Sequence, residues 1–138
     1  MHISSSRPGY IFLIGVLTLG AIGMATVSTL LLLGWAAEQN GNAVYQSHQA
    51  FENAQTCIER ALRSLRADPA YAGDETFVLS RGTCQLLSIG GAWNDRRTIC
   101  ALGEYGNISR RSEVSLHRLM PTSTIDIWRE TTSFSLCR

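Results

Sequence analysis

Apolar positions fall on different periods in different stretches of this chain, and the changes of period mark its elements. Residues 10–37 form an unbroken run of 28 without a charge, opening after Arg7, Pro8 and Gly9 and closing at Glu38. As a helix rising ~1.5 Å per residue the run is ~42 Å long, against a hydrocarbon core about 30 Å thick, so it spans a bilayer with length to spare. Within it Gly15, Gly20, Gly23 and Gly34 are interleaved with Ala21, Ala25, Thr26, Ser28 and Thr29, and no proline interrupts it. Small residues let helices approach closely in lipid, and the hydroxyls can bond their own backbone or a neighbour's. Glycine is also commoner in membrane helices than in soluble ones, which needs no packing partner.

From Glu38 the chain turns polar but keeps a helical period. Asn40, Gly41 and Asn42 are a weak point, because glycine costs about 1 kcal/mol in a helix interior. Val44, Phe51, Ile58 and Leu65 then recur seven apart with Ser47, Ala54 and Ala61 between them, which makes one narrow apolar stripe on an amphipathic helix. Gln46, Gln49, Glu52, Glu59, Arg63 and Arg66 take the other faces. Asp68 before Pro69 ends the helix, since the residue preceding proline avoids helical backbone. Small residues at alternate seam positions suit a helix lying on a sheet better than a coiled-coil seam. Taken as one helix, residues 10–67 make a rod ~87 Å long.

Beyond a loop at residues 70–74 the period shortens to that of strands. Residues 76–80, 83–89, 97–104, 108–120 and 124–130 read as strands, punctuated by Arg81-Gly82, Gly90-Gly91 with Asn94-Asp95, Gly106-Asn107 and Pro121. In the fourth, Ile108, Ser112, Val114, Leu116 and Met120 share one face, with Ser109, Arg111, Glu113, Ser115 and His117 on the other. The expected fold is therefore α+β: a long N-terminal helix packed on a small antiparallel meander. It divides into residues 1–9 as a leader, 10–37 as a transmembrane helix, 38–67 as its amphipathic continuation and 68–138 as the β domain.

Composition narrows the function. Roughly 100 residues after the anchor leave room for one small domain. The formal net charge is +1, and arginine supplies all the basic residues, scattered among the acids, so no basic stripe marks a nucleic-acid surface. A glycine-rich phosphate loop, a Gly-x-Ser-x-Gly elbow and paired histidines at ligand spacing are all missing from the sequence. His2, His48 and His117 read as solvated residues. Neither catalysis nor a cofactor is expected. Asn107-Ile108-Ser109 matches a glycosylation sequon, but an asparagine in a turn accounts for it. Trp93 reads either as an exposed aromatic in a binding loop or as a residue buried against the sheet.

Three readings of the N-terminus compete. A cleaved secretory signal has an apolar core of roughly 7–15 residues, which this run exceeds, and Gly34-Trp35-Ala36 is a poor cleavage tract because Trp35 is bulky. A plain single-pass anchor is the second; Arg7 and His2 before the run and Glu38 after it favour a cytoplasmic N-terminus. The third rests on the short, polar, basic stretch ending at Gly9, followed at once by Tyr10, Ile11, Phe12, Leu13 and Ile14. It resembles the class III leader of type IV pilins and pseudopilins. That resemblance implies cleavage between Gly9 and Tyr10 by a prepilin peptidase on the cytoplasmic side. The family's usual glutamate at the fifth mature position is here Ile14, a departure resembling minor pseudopilins at filament tips. Later stretches are similar to small pilin-like proteins of candidate-phyla bacteria: Cys57-Ile58-Glu59-Arg60-Ala61-Leu62, Gly82-Thr83-Cys84, Gly106-Asn107-Ile108 and Trp128-Arg129-Glu130.

Cys57, Cys84, Cys100 and Cys137 all follow the anchor, an even number as an oxidising exterior favours. Of the three pairings open to four cysteines, Cys57 with Cys84 is preferred, since Cys57 borders the apolar stripe and Cys84 opens a strand; Cys100 then pairs with Cys137. Zinc is disfavoured because close Cys-x-x-Cys spacing is missing. The sequence thus points to a structural subunit. Gly15, Gly20, Gly23 and Gly34 would be its packing face, with membrane lipid, prepilin peptidase and other pilin-like subunits as partners. The alternative is a membrane-anchored extracytoplasmic binding module that never polymerises and uses residues 90–96 or the last strand.

Overall fold

The computed structural model describes residues 8–137. Most of the basic leader, Met1 to Arg7, lies outside the described residues. One helix, α1 (Pro8–Ala67), precedes five strands, β1 (Gly73–Val78), β2 (Thr83–Ser88), β3 (Arg97–Tyr105), β4 (Ile108–Arg118) and β5 (Thr124–Thr131). This is the α+β class that the periodicity predicts. The chain divides into two compact units, one ending at Asn42 and the other beginning at Ala43. Helical backbone continues through Asn40, Gly41 and Asn42.

In the second unit the strands pair in the order β1-β2-β3-β4-β5, each antiparallel to the next. Strand alternation puts Cys84 and Leu86 of β2, Ile99 and Ala101 of β3, and Val114 and Leu116 of β4 in one core with Cys57, Ile58, Ala61 and Leu65 of α1. Helix and sheet approach tightly at Gly103. A Cβ there would collide with the carbonyl oxygen of Ala50 and the backbone nitrogen of Ala54. Small residues on the helix and a glycine on the strand thus let backbone meet backbone, which is the helix-on-sheet packing that Ala54 and Ala61 suggest.

The buried helix face differs from the expected heptad. Val44 is 69% exposed, whereas Ala50 and Cys57, outside the heptad, are fully buried. A straight α-helix drifts ~20° per heptad against a strict seven-residue repeat. The contact face accordingly slants from Ala50 and Ala54 through Cys57, Ile58 and Ala61 to Leu65.

Strand ends shift for local reasons. β1 starts at Gly73, inside the expected loop, because Gly73 and Asp74 adopt positive φ (74° and 58°) and turn the chain into register with Ser88. β4 stops at Arg118, two residues early, because the backbone N–H groups of Leu119 and Met120 donate to the Asn94 side chain instead. In the Gly106-Asn107 hairpin the left-handed residue is Gly106 (φ 59°), so the turn draws its positive φ from glycine and leaves the asparagine in ordinary backbone.

Both cysteine pairs form disulfides, Cys57–Cys84 and Cys100–Cys137. The first ties α1 to β2 and the second ties the tail to β3. Buried Asn53 adds a polar tie, its amide donating to the carbonyl oxygens of Arg81 (2.7 Å) and Glu104 (2.9 Å).

Candidate functional site

The first unit is defined by apolar side chains with nothing on them. Phe12 is 76% exposed, Leu31 70% and Trp35 63%, and the other large apolar residues between them are likewise uncovered. α1 is long and apolar enough to cross a membrane. Its hydroxyls are quenched internally: Thr18 donates to the Gly15 carbonyl (3.0 Å), Thr26 to Gly23, Ser28 to Met24 and Thr29 to Thr26 (2.8 Å each). Of the two uses open to these groups, bonding to their own backbone is the one found, so these four hydroxyls need neither water nor a neighbour as acceptor.

Gly15, Gly20, Gly23 and Gly34 each face open space, with no atom within 4 Å of where a Cβ would sit. Nothing among the described residues requires them to be small. At 100° per residue, Gly20, Gly23 and Gly34 fall within about 60° of one another around the helix, with Gly15 set apart. Gly9 and Tyr10, the expected processing junction, occupy the first turn of α1 and are exposed, as is Ile14.

A second feature lies on the sheet face turned away from α1. Cys100, Glu113 and Arg129 are adjacent across β3, β4 and β5, and the tail is held over them. Glu113, expected on the face opposite Val114 and Leu116, is fully buried. Its carboxylate accepts the backbone N–H of Ser135 (3.0 Å) and of Leu136 (3.2 Å), the Ser135 hydroxyl (2.9 Å) and Nε of Arg129 (2.7 Å). Burial alone would raise its pKa, but these donors overcome that and hold it at about 2. The Cys100–Cys137 bond and this carboxylate fasten the same segment. The alternation of β4 places Glu113 on the outer face, but only the return of the tail encloses it.

The third feature is the connection between β2 and β3. Trp93 is 76% exposed, so the open loop reading holds over burial against the sheet. It sits at positive φ (52°), uncommon for a bulky side chain. The loop is pinned on both sides. Asn94 accepts the N–H of Leu119 (3.1 Å) and of Met120 (2.6 Å) and donates to the Met120 carbonyl (3.0 Å). Arg97, 3% exposed, donates to the carbonyl oxygens of Gly91 and Pro69, with its Nε unpartnered. A cleft of about 960 Å³ lies here, bordered by Ala92, Asp95, Arg96, His117, Arg118 and Met120 among others. The turn residues flagged the loop, but not that Asn94 and Arg97 fix it, because their partners lie 26 and 28 positions away in the chain.

The remaining sequence candidates stand apart from these features. His48 is exposed, its Nε2 3.9 Å from the Glu52 carboxylate one turn on. Trp128 on β5 is exposed and donates from its indole N–H to Gln55 of α1 (2.8 Å). Among the described residues no three His, Cys, Asp or Glu side chains gather as metal ligands. Comparison with protein-family models, curated proteins and solved structures finds no match to this chain.

Proposed function

We propose that the chain is a pilin- or pseudopilin-like subunit that assembles into a filament through its N-terminal helix and performs no catalysis of its own. The observation that carries this reading is the uncovered apolar half of α1 joined to a disulfide-braced helix-on-meander unit. A surface this apolar must be covered, by lipid before assembly and by neighbouring helices after it. Glycines that meet nothing among the described residues, three of them on one side, suit close approach by a second helix. Backbone-satisfied hydroxyls suit the move between lipid and a helical bundle.

In this reading the N-terminus is cytoplasmic and the second unit lies outside the membrane, where both disulfides are stable. A prepilin peptidase removes Met1 to Gly9 and exposes Tyr10 as the new terminus. Ile14 offers no carboxylate to a neighbour's terminal amine, so the subunit belongs at low copy or at a filament tip. The intact mass of the protein isolated from native membranes tests the reading directly. Loss of Met1 to Gly9 and recovery of the chain in sheared filaments are expected; a retained leader would sink the proposal and favour a single-pass anchored binding module. Trp93 on its pinned loop is the feature that speaks for that second reading.

A further inference from the structure

The loop of residues 90–96 spends stability on a conformation that its own packing does not need. Trp93 holds a left-handed backbone that a bulky residue rarely adopts, yet its side chain is 76% exposed. Strain of this kind persists only where surrounding structure over-determines it, and it concentrates at binding sites. Here the surroundings are explicit: Asn94 clamps the loop to Leu119 and Met120, and buried Arg97 staples Gly91 to Pro69. Gly91 contributes as well, since at φ 83° a Cβ would strike the Arg96 carbonyl oxygen. The result is a loop backbone fixed on both sides of an exposed aromatic, so little backbone ordering cost remains at binding.

Trp93 does not itself line the adjoining cleft, but its chain neighbours Ala92 and Asn94 do. Arg96 and Arg118 border it, and neither guanidinium has an ion-pair partner among the described residues. Asp95 and His117 border it too, giving a hydroxyl acceptor and a second polar group. About 960 Å³ admits a ligand larger than a single ion. We infer that the Trp93 loop and this cleft bind an acidic oligosaccharide, with a pyranose face stacked on the indole, its carboxylate on Arg96 and Arg118, and its hydroxyls on Asp95. A nucleic-acid strand fits less well. Strand binding calls for a run of stacking aromatics along a basic track, whereas here one exposed tryptophan stands beside a carboxylate in a protein of net charge +1. The inference does not depend on filament assembly.

The test uses the full-length chain in phosphatidylcholine nanodiscs, which carry no sugar headgroups, with trigalacturonate as the ligand in titration calorimetry. Saturable binding is expected, weakened about tenfold by Trp93→Ala and about fivefold by Arg118→Gln, the sizes that one stacked ring and one charge-assisted contact supply. Circular dichroism of both variants should match the parent, because both side chains are exposed. Maltotriose should bind at least about tenfold more weakly, for want of a carboxylate. Absence of binding, an unchanged affinity in Trp93→Ala, equal binding of maltotriose, or displacement of the sugar by inorganic phosphate alone would each overturn the inference. So would tighter binding of a short oligothymidylate, which would assign the loop to single-stranded nucleic acid.

Discussion

Replacing Glu113 by glutamine probes the linkage between the tail and the sheet with almost no change of shape. The carboxylate is fully buried and accepts hydrogen bonds from Ser135, Leu136 and Arg129. A glutamine keeps one acceptor oxygen but turns an amide donor toward groups that are themselves donors. The difference between a carboxyl held at about 2 and an ordinary one at 4.5 corresponds to about 3 kcal/mol at ~1.36 kcal/mol per tenfold. Because the folded-state pKa is depressed, that stabilisation is complete above pH ~4.5 and drains away as the pH falls toward ~2. The parent and Glu113→Gln should therefore differ by about 3 kcal/mol at pH 7, and the gap should narrow steadily below pH ~4.5. Urea unfolding of the oxidised unit beginning at Ala43, followed by near-ultraviolet circular dichroism from pH 7 to pH 2.5 (about the range of the linkage), measures both quantities. A gap that stays constant or widens on acidification would refute the assignment of Glu113 as the charged receptor of the tail.

Gly103→Ala drives a methyl into the Ala50 and Ala54 backbone of α1, where neither partner is a flexible side chain. Destabilisation by about 2–3 kcal/mol is expected from overpacking, read as a lowered urea midpoint with unchanged slope. Gly23→Leu makes the opposite test in the first unit. Its Cβ meets nothing within 4 Å, so helicity in lipid should be unchanged while recovery in sheared filaments falls; undiminished recovery would remove Gly23 from any packing face.

Much of the architecture was legible because it depends on local periodicity. The shift from an uncharged run to an apolar stripe, then to alternating strands, located α1 and all five strands, most of their ends to within a residue or two. The pairing of Cys57 with Cys84, preferred among three because Cys57 borders the apolar stripe and Cys84 opens a strand, is the one the structure contains. What escaped were residues defined by distant partners. Strand alternation places Glu113 on the outer face, and only the tail, distant in sequence, buries it. Val44 read as core because a seven-residue repeat was projected onto a helix that turns every ~3.6 residues. Asn94 and Arg97 read as turn and strand residues, although they hold loops that lie far apart in sequence.

The sequence by itself therefore determined that this protein has an apolar helix of membrane-spanning length, followed by an amphipathic stretch and a meander of short strands. Composition and period are properties of contiguous residues and survive without knowledge of the fold. Only the tertiary structure decided which polar groups are buried, that the glycines of the first unit meet nothing among the described residues, and that Trp93 is offered outward on a loop clamped from both sides. Those facts depend on contacts between residues tens of positions apart, and a one-dimensional pattern carries no record of which donor reaches which acceptor.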